Sequence, residues 1–112
     1  MTEREKLEEL YLEYKHQCFV CGARATQRAH IIGDTKANRK KYGPEVIDNP
    51  LNWLLACSLE CNALIDIGKN EIFQHAIATV IKSSDYGYFE KRRTIEQFVK
   101  DNIERKRSKR NG

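Results

Sequence analysis

Cys18-Phe19-Val20-Cys21-Gly22 and Cys57-Ser58-Leu59-Glu60-Cys61 are the two stretches whose reading decides the fold. Each carries a pair of cysteines, and residues 22–56, 35 in all, separate the pairs. A short turn brings two thiols to one side of the chain. Two such turns complete a tetrahedron of thiolates, the arrangement that structural zinc adopts. Gly22 gives the first turn the backbone freedom it needs. Ser58 is an N-cap candidate, so the second pair spans the start of a helix. Residues four apart share a helical face, and thiolates at that end gain from the helix dipole. With four cysteines in this spacing, metal is favoured over disulfides in a reducing compartment. Buried free thiols and a single disulfide are the alternatives.

Between the pairs, Arg24 to Ile32 reads as a strand ending at Gly33, with His30 in an otherwise apolar run. Leu51 to Ala56 reads as a second short strand. From Asp34 to Asn49 the chain is polar and basic, with Lys36, Arg39, Lys40 and Lys41. Gly43-Pro44 and Asn49-Pro50 mark turns, and a short helix fits residues 36–42. After the second cysteine pair, Asn62 and Asp66 stand four apart. An amide oxygen and a carboxylate on one helical face suit a hard divalent cation such as magnesium or manganese. The bland alternative is a locally bonded asparagine and a solvated aspartate.

Outward from this core, Thr2 and Glu5 form a capping box ahead of Leu7, Leu10, Tyr11 and Tyr14, so a first helix is expected over residues 2–15. A helix from about Asn70 shows Ile72, Phe73, Ala76, Ile77 and Val80 on one face. A last helix over residues 89–105 turns Ile95, Phe98, Val99 and Asn102 inward, and the tail from 106 to 112 is expected to fray. Tyr86, Tyr88 and Phe89 beside Lys91, Arg92 and Arg93 read as core residues next to a solvated basic face, or as a second contact surface.

The 112 residues suit one domain, whose core is thin. No apolar run approaches the roughly 20 residues that span a bilayer, and the charged start is expected to form a helix rather than a signal peptide. An intracellular, cytoplasmic protein without a membrane partner is expected. The net charge is +4 and the sequence pI near 8.9. A basic middle segment and a basic end suit a phosphate backbone.

Taken together, Cys-x-x-Cys, Ala29-His30-Ile31, Asn52 before an apolar run and Cys-x-x-x-Cys-Asn62 resemble the HNH nuclease family in its zinc-ribbon branch, which includes small phage and bacterial nicking endonucleases. The resemblance covers Cys18 to Asp66. It implies an α+β fold: a ββα-metal core at residues 17–68 with a four-cysteine zinc ribbon, an N-terminal helix at 1–16, two C-terminal helices within 69–105, and a basic tail. It implies phosphodiester hydrolysis with His30 as general base, Asn52 bracing the loop between the strands, and Asn62 as a metal ligand. Asp66 falls where a further ligand occurs. Many members carry Asp or His directly before the base. Here that residue is Ala29, so Asp34 or a backbone carbonyl is expected to complete the shell, or else His30 itself binds metal. Structural zinc and catalytic magnesium or manganese are the implied cofactors. Double-stranded DNA is the implied partner, contacted by Arg28, Lys36, Arg39, Lys40 and Lys41. One site per chain implies nicking by a monomer or weak homodimer. A zinc-ribbon DNA-binding module without catalysis is the alternative.

Overall fold

The computed structural model describes residues 2–111, with side chains as far as residue 109. Six helices, α1 (Glu3–Glu13), α2 (Lys36–Tyr42), α3 (Pro44–Ile47), α4 (Leu59–Ile65), α5 (Glu71–Lys82) and α6 (Tyr88–Asn111), surround an antiparallel pair of strands, β1 (Gln27–His30) and β2 (Trp53–Ala56). The architecture is α+β. No helix among the described residues is long and apolar enough to cross a membrane.

The hairpin has two covered faces, which is why all four residues of β2 are buried. Its register pairs Gln27 with Ala56, Arg28 with Leu55, Ala29 with Leu54 and His30 with Trp53. Alternation sends Ala29, Leu54 and Ala56 into the main core with Ile65 of α4, Ile77 and Ile81 of α5, and Ile95 and Val99 of α6. It sends Trp53 and Leu55 the other way, against Leu10 of α1 and Ala25. The capping box at Thr2 and Glu5 is present, and Ser58 and Asn70 cap α4 and α5 through their side chains.

β1 is shorter than the expected strand over residues 24–32. Ile31 and Ile32 leave the ladder because Asn52 takes their bonds. The Ile31 amide donates to the Asn52 carbonyl at 2.8 Å, and the Ile32 amide donates to the Asn52 side-chain oxygen at 2.8 Å. The side-chain amide of Asn52 returns bonds to the carbonyls of Ile32 at 3.1 Å and Ile47 at 3.2 Å. Residues Pro50–Asn52 form a single 3-10 turn ahead of β2. Asn52 is fully buried, so removing its side chain strands the amide and the carbonyl of Ile32, each costing about 1–3 kcal/mol, while the Ile47 carbonyl keeps its bond from the Trp53 indole. Asn52→Ala should therefore lower the stability read by urea unfolding by about 3 kcal/mol. A loss under about 0.5 kcal/mol, the size of an ordinary surface change, would show that the brace carries no weight.

Three further expectations are corrected. Ile72 is 82% exposed, because the inward stripe of α5 is Phe73, Gln74, Ile77, Ala78 and Ile81. Gln74 tolerates burial because it accepts from the Tyr42 hydroxyl at 3.0 Å and donates to the Gly68 carbonyl at 2.5 Å. The tail does not fray at 106. It continues α6 to Asn111, and residue 112 lies outside the described residues. The Lys106 ammonium accounts for part of this order, donating to the Ala63, Leu64 and Asp66 carbonyls at the C-terminal end of α4. The aromatic–basic run at 86–93 is inverted: Phe89 is 78% exposed, whereas Arg92 is buried. The Arg92 guanidinium donates to the Pro50, Leu51 and Trp53 carbonyls at 2.7, 3.3 and 3.0 Å, clamping the turn that carries Asn52.

Candidate metal centre and candidate active site

The four cysteines meet where the loop before β1 touches the start of α4. All four are free thiols, and their sulfurs lie within 4.8 Å of one another. The Cys21 and Cys57 sulfurs are 3.4 Å apart, and those of Cys57 and Cys61 are 3.7 Å apart. Four zinc–sulfur bonds of about 2.3 Å in a tetrahedron require sulfurs about 3.8 Å apart, so the cluster fits a zinc ion. The first turn is closed by backbone bonds from Gly22 to the Cys18 carbonyl at 3.0 Å and from Cys18 to the Ala23 carbonyl at 2.7 Å, with Gly22 at φ +79°. Ser58 accepts from the Cys61 amide at 3.1 Å, fixing the second pair at the helix start.

The electrostatics favour a bound cation. Burial opposes ionisation of Cys18, yet the backbone amides of Cys21, Val20 and Cys57 outweigh it and hold that thiol down to about 7. Cys57 is pushed up to about 12, first by the Cys21 sulfur and then by desolvation and the Cys61 sulfur. Thiolates this close repel one another, and a divalent metal relieves the repulsion.

His30 ends β1 on the face that it shares with Arg28, away from the main core. It is half-buried, with its ring edge-on to Trp53 at 6.4 Å between centroids. The Arg28 guanidinium lies over the same indole at 4.5 Å and donates to the Glu3 carboxylate at 2.7 Å. Burial lowers the His30 pKa from the ordinary 6.5, and Arg28 pushes in the same direction, against opposing pulls from Asp34 and Asp48. The imidazole is therefore neutral at pH 7. Asn52 holds the segment that follows His30.

The oxygen donors expected of a catalytic cation are each engaged by other protein groups. Gln27 and Ala29 occupy the α4 side of the hairpin, and Asn62 on α4 donates to the Gln27 side chain at 2.7 Å. Strand alternation thus puts His30 and Asn62 on opposite faces of β1. Asp66 lies one residue past α4 as its C-cap, and its carboxylate accepts from the Gly68 amide at 2.7 Å. That carboxylate also lies against Gly33, where an added Cβ would meet it at 3.7 Å. Asp34 is gripped by Arg39 at 2.5 and 3.1 Å, and Arg39 reaches on to Asp48 at 2.7 and 3.1 Å. Among the described residues, the four cysteines are the one group of three or more His, Cys, Asp or Glu side chains placed to hold an ion.

The five basic residues expected at DNA divide by their partners. Lys36 and Lys40 are exposed on α2. Lys41 lies 3.5 Å from Glu71, Arg39 is held between two carboxylates, and Arg28 has Glu3. Sequence reasoning missed Arg92 and Glu3, since neither stands in a motif. The chain matches no known protein family, no curated protein and no solved structure.

Proposed function

We propose that this chain is a metal-dependent DNA endonuclease of the HNH type, nicking one strand at a time with His30 as general base. The observation that carries the reading is the state of His30: a half-buried imidazole, kept neutral by burial and by Arg28, at the end of a strand flanked by the cysteine cluster and the Asn52 brace. A neutral histidine of this kind accepts a proton from water as that water attacks phosphorus. Arg28, two residues earlier on the same strand face, is the nearby cation for the phosphate. Lys36 and Lys40 are proposed to track the DNA backbone.

Magnesium or manganese is the proposed cofactor, and its chemistry when bound is to offset charge growing on the phosphate. Asn62, Asp66 and Asp34 are the proposed donors. Held as they are by Gln27, Gly68 and Arg39, they do not form a ready cation site. That observation favours a second reading, a zinc-ribbon DNA-binding module without catalysis. Supercoiled plasmid incubated with the protein separates the two. Relaxed circles that form with magnesium or manganese and cease with a chelator support the nuclease. Duplex binding that leaves the plasmid supercoiled with either metal supports the module.

A pH profile tests the base. Because the His30 pKa lies below 6.5, its neutral form predominates at pH 7 and is lost as pH falls through the lowered value. The acid limb of kcat/KM should therefore fall below pH 6.5. An acid limb above pH 7 would assign the titration to another group.

A further inference from the structure

Arg28 is the one basic residue of the five to share a strand face with His30, and its environment is that of an anion-binding residue. The guanidinium lies over the Trp53 ring at 4.5 Å, with its side chain 24% exposed. Such stacking holds the flat fork in place before any ligand arrives. Its hydrogen-bond partner is the Glu3 carboxylate at 2.7 Å, on the first turn of α1. Glu3 is 63% exposed there. A carboxylate and a phosphate oxygen make the same charge-assisted bond to a guanidinium. The Glu3 pair is also cheap to break, because exposed ion pairs contribute little. Arg39 differs on this point, since two carboxylates hold it through four hydrogen bonds.

We infer that Arg28 is a binding site for one backbone phosphate of duplex DNA beside His30, and that the Glu3 carboxylate occupies this place in the free protein until the DNA displaces it. The inference rests on the proposed DNA substrate but not on cleavage. α1 thereby restrains DNA binding through a single side chain. Packing of Leu10 against Trp53 and Leu55 keeps α1 in place whether Glu3 is engaged or released.

A double-mutant cycle read by binding, without metal, tests this. The probe is a short fluorescent DNA duplex at fixed ionic strength. Glu3→Gln should bind about threefold more tightly than Glu9→Gln, which removes the same charge from the same helix without touching Arg28. In an Arg28→Gln background the Glu3→Gln gain should vanish, and the salt slope of binding should fall by about 0.9. Should Arg28→Gln fail to fold, Arg28→Lys serves instead, and Glu3→Gln should gain less in it because the flat fork is lost. If Glu3→Gln and Glu9→Gln bind alike, or if the Glu3→Gln gain persists without Arg28, the inference is overturned while DNA recognition stands. If the parent does not bind duplex at all, both fall.

Discussion

Cys57→Ser should be unfolded at 25 °C, or melt at least about 15 °C below the parent. Structural zinc bound by four thiolates contributes about 10–16 kcal/mol of apparent binding energy in small peptides, as much as or more than the whole stability of an ordinary domain. Here an ion held by the four sulfurs would tie the turn at Cys18–Gly22 to the start of α4, across a hairpin whose strands have four residues each. A hairpin of that size is marginal alone. Serine at 57 removes a thiolate whose sulfur lies 3.4 Å from that of Cys21 and 3.7 Å from that of Cys61. A loss of about 3 kcal/mol already shifts the melting temperature by about 12–24 °C in a small domain. The check is a thermal melt beside metal analysis. The parent should carry one zinc per chain, and a chelator should reproduce the effect of the mutation. A variant that melts with the parent, together with a parent free of zinc, would remove the ion from the account.

The second large effect is at His30. His30→Ala should lower nicking about 10²- to 10⁴-fold, the usual contribution of a positioned general base. Its melting temperature should stay within a few degrees of the parent's, about 1 kcal/mol or less. The half-buried ring makes an edge-on contact with Trp53, while Trp53 itself stays anchored through its indole nitrogen to the Ile47 carbonyl at 3.3 Å. Activity loss and fold loss are therefore separable at this position, as they are not at Cys57. A large drop in melting temperature would recast His30 as a packing residue.

Local signals in the sequence reported local structure well. The capping box at Thr2, the cap at Ser58, the helix start near Asn70 and the inward line of Ile95, Val99 and Asn102 all appear as the spacing predicts. The two cysteine pairs do converge, since each pair needs only its own turn to present its sulfurs. What the sequence concealed depends on partners far along the chain. Arg92 is buried because carbonyls some forty residues earlier accept its protons, and no pattern around residue 92 announces them. No pattern around Arg39 shows that the corner between α2 and α3 brings Asp48 to the guanidinium that also pairs with Asp34. The corner itself follows from Gly43 at φ +85° and Pro44 opening α3, where the sequence suggests only a turn. His30, Asn62 and Asp66 belong to one linear pattern that runs from residue 30 to residue 66. Strand alternation sets His30 on the face of β1 opposite Gln27, the residue to which Asn62 donates.

The imidazole at position 30 is the proposed proton acceptor at a DNA phosphate, and the proposed cleavage depends on it. Zinc-loaded His30→Ala, given supercoiled plasmid, manganese and increasing free imidazole, tests this directly. The account predicts that relaxed circles return in proportion to the unprotonated imidazole added. A variant that relaxes plasmid as fast as the parent with no imidazole present, or a parent that leaves it supercoiled, would contradict it.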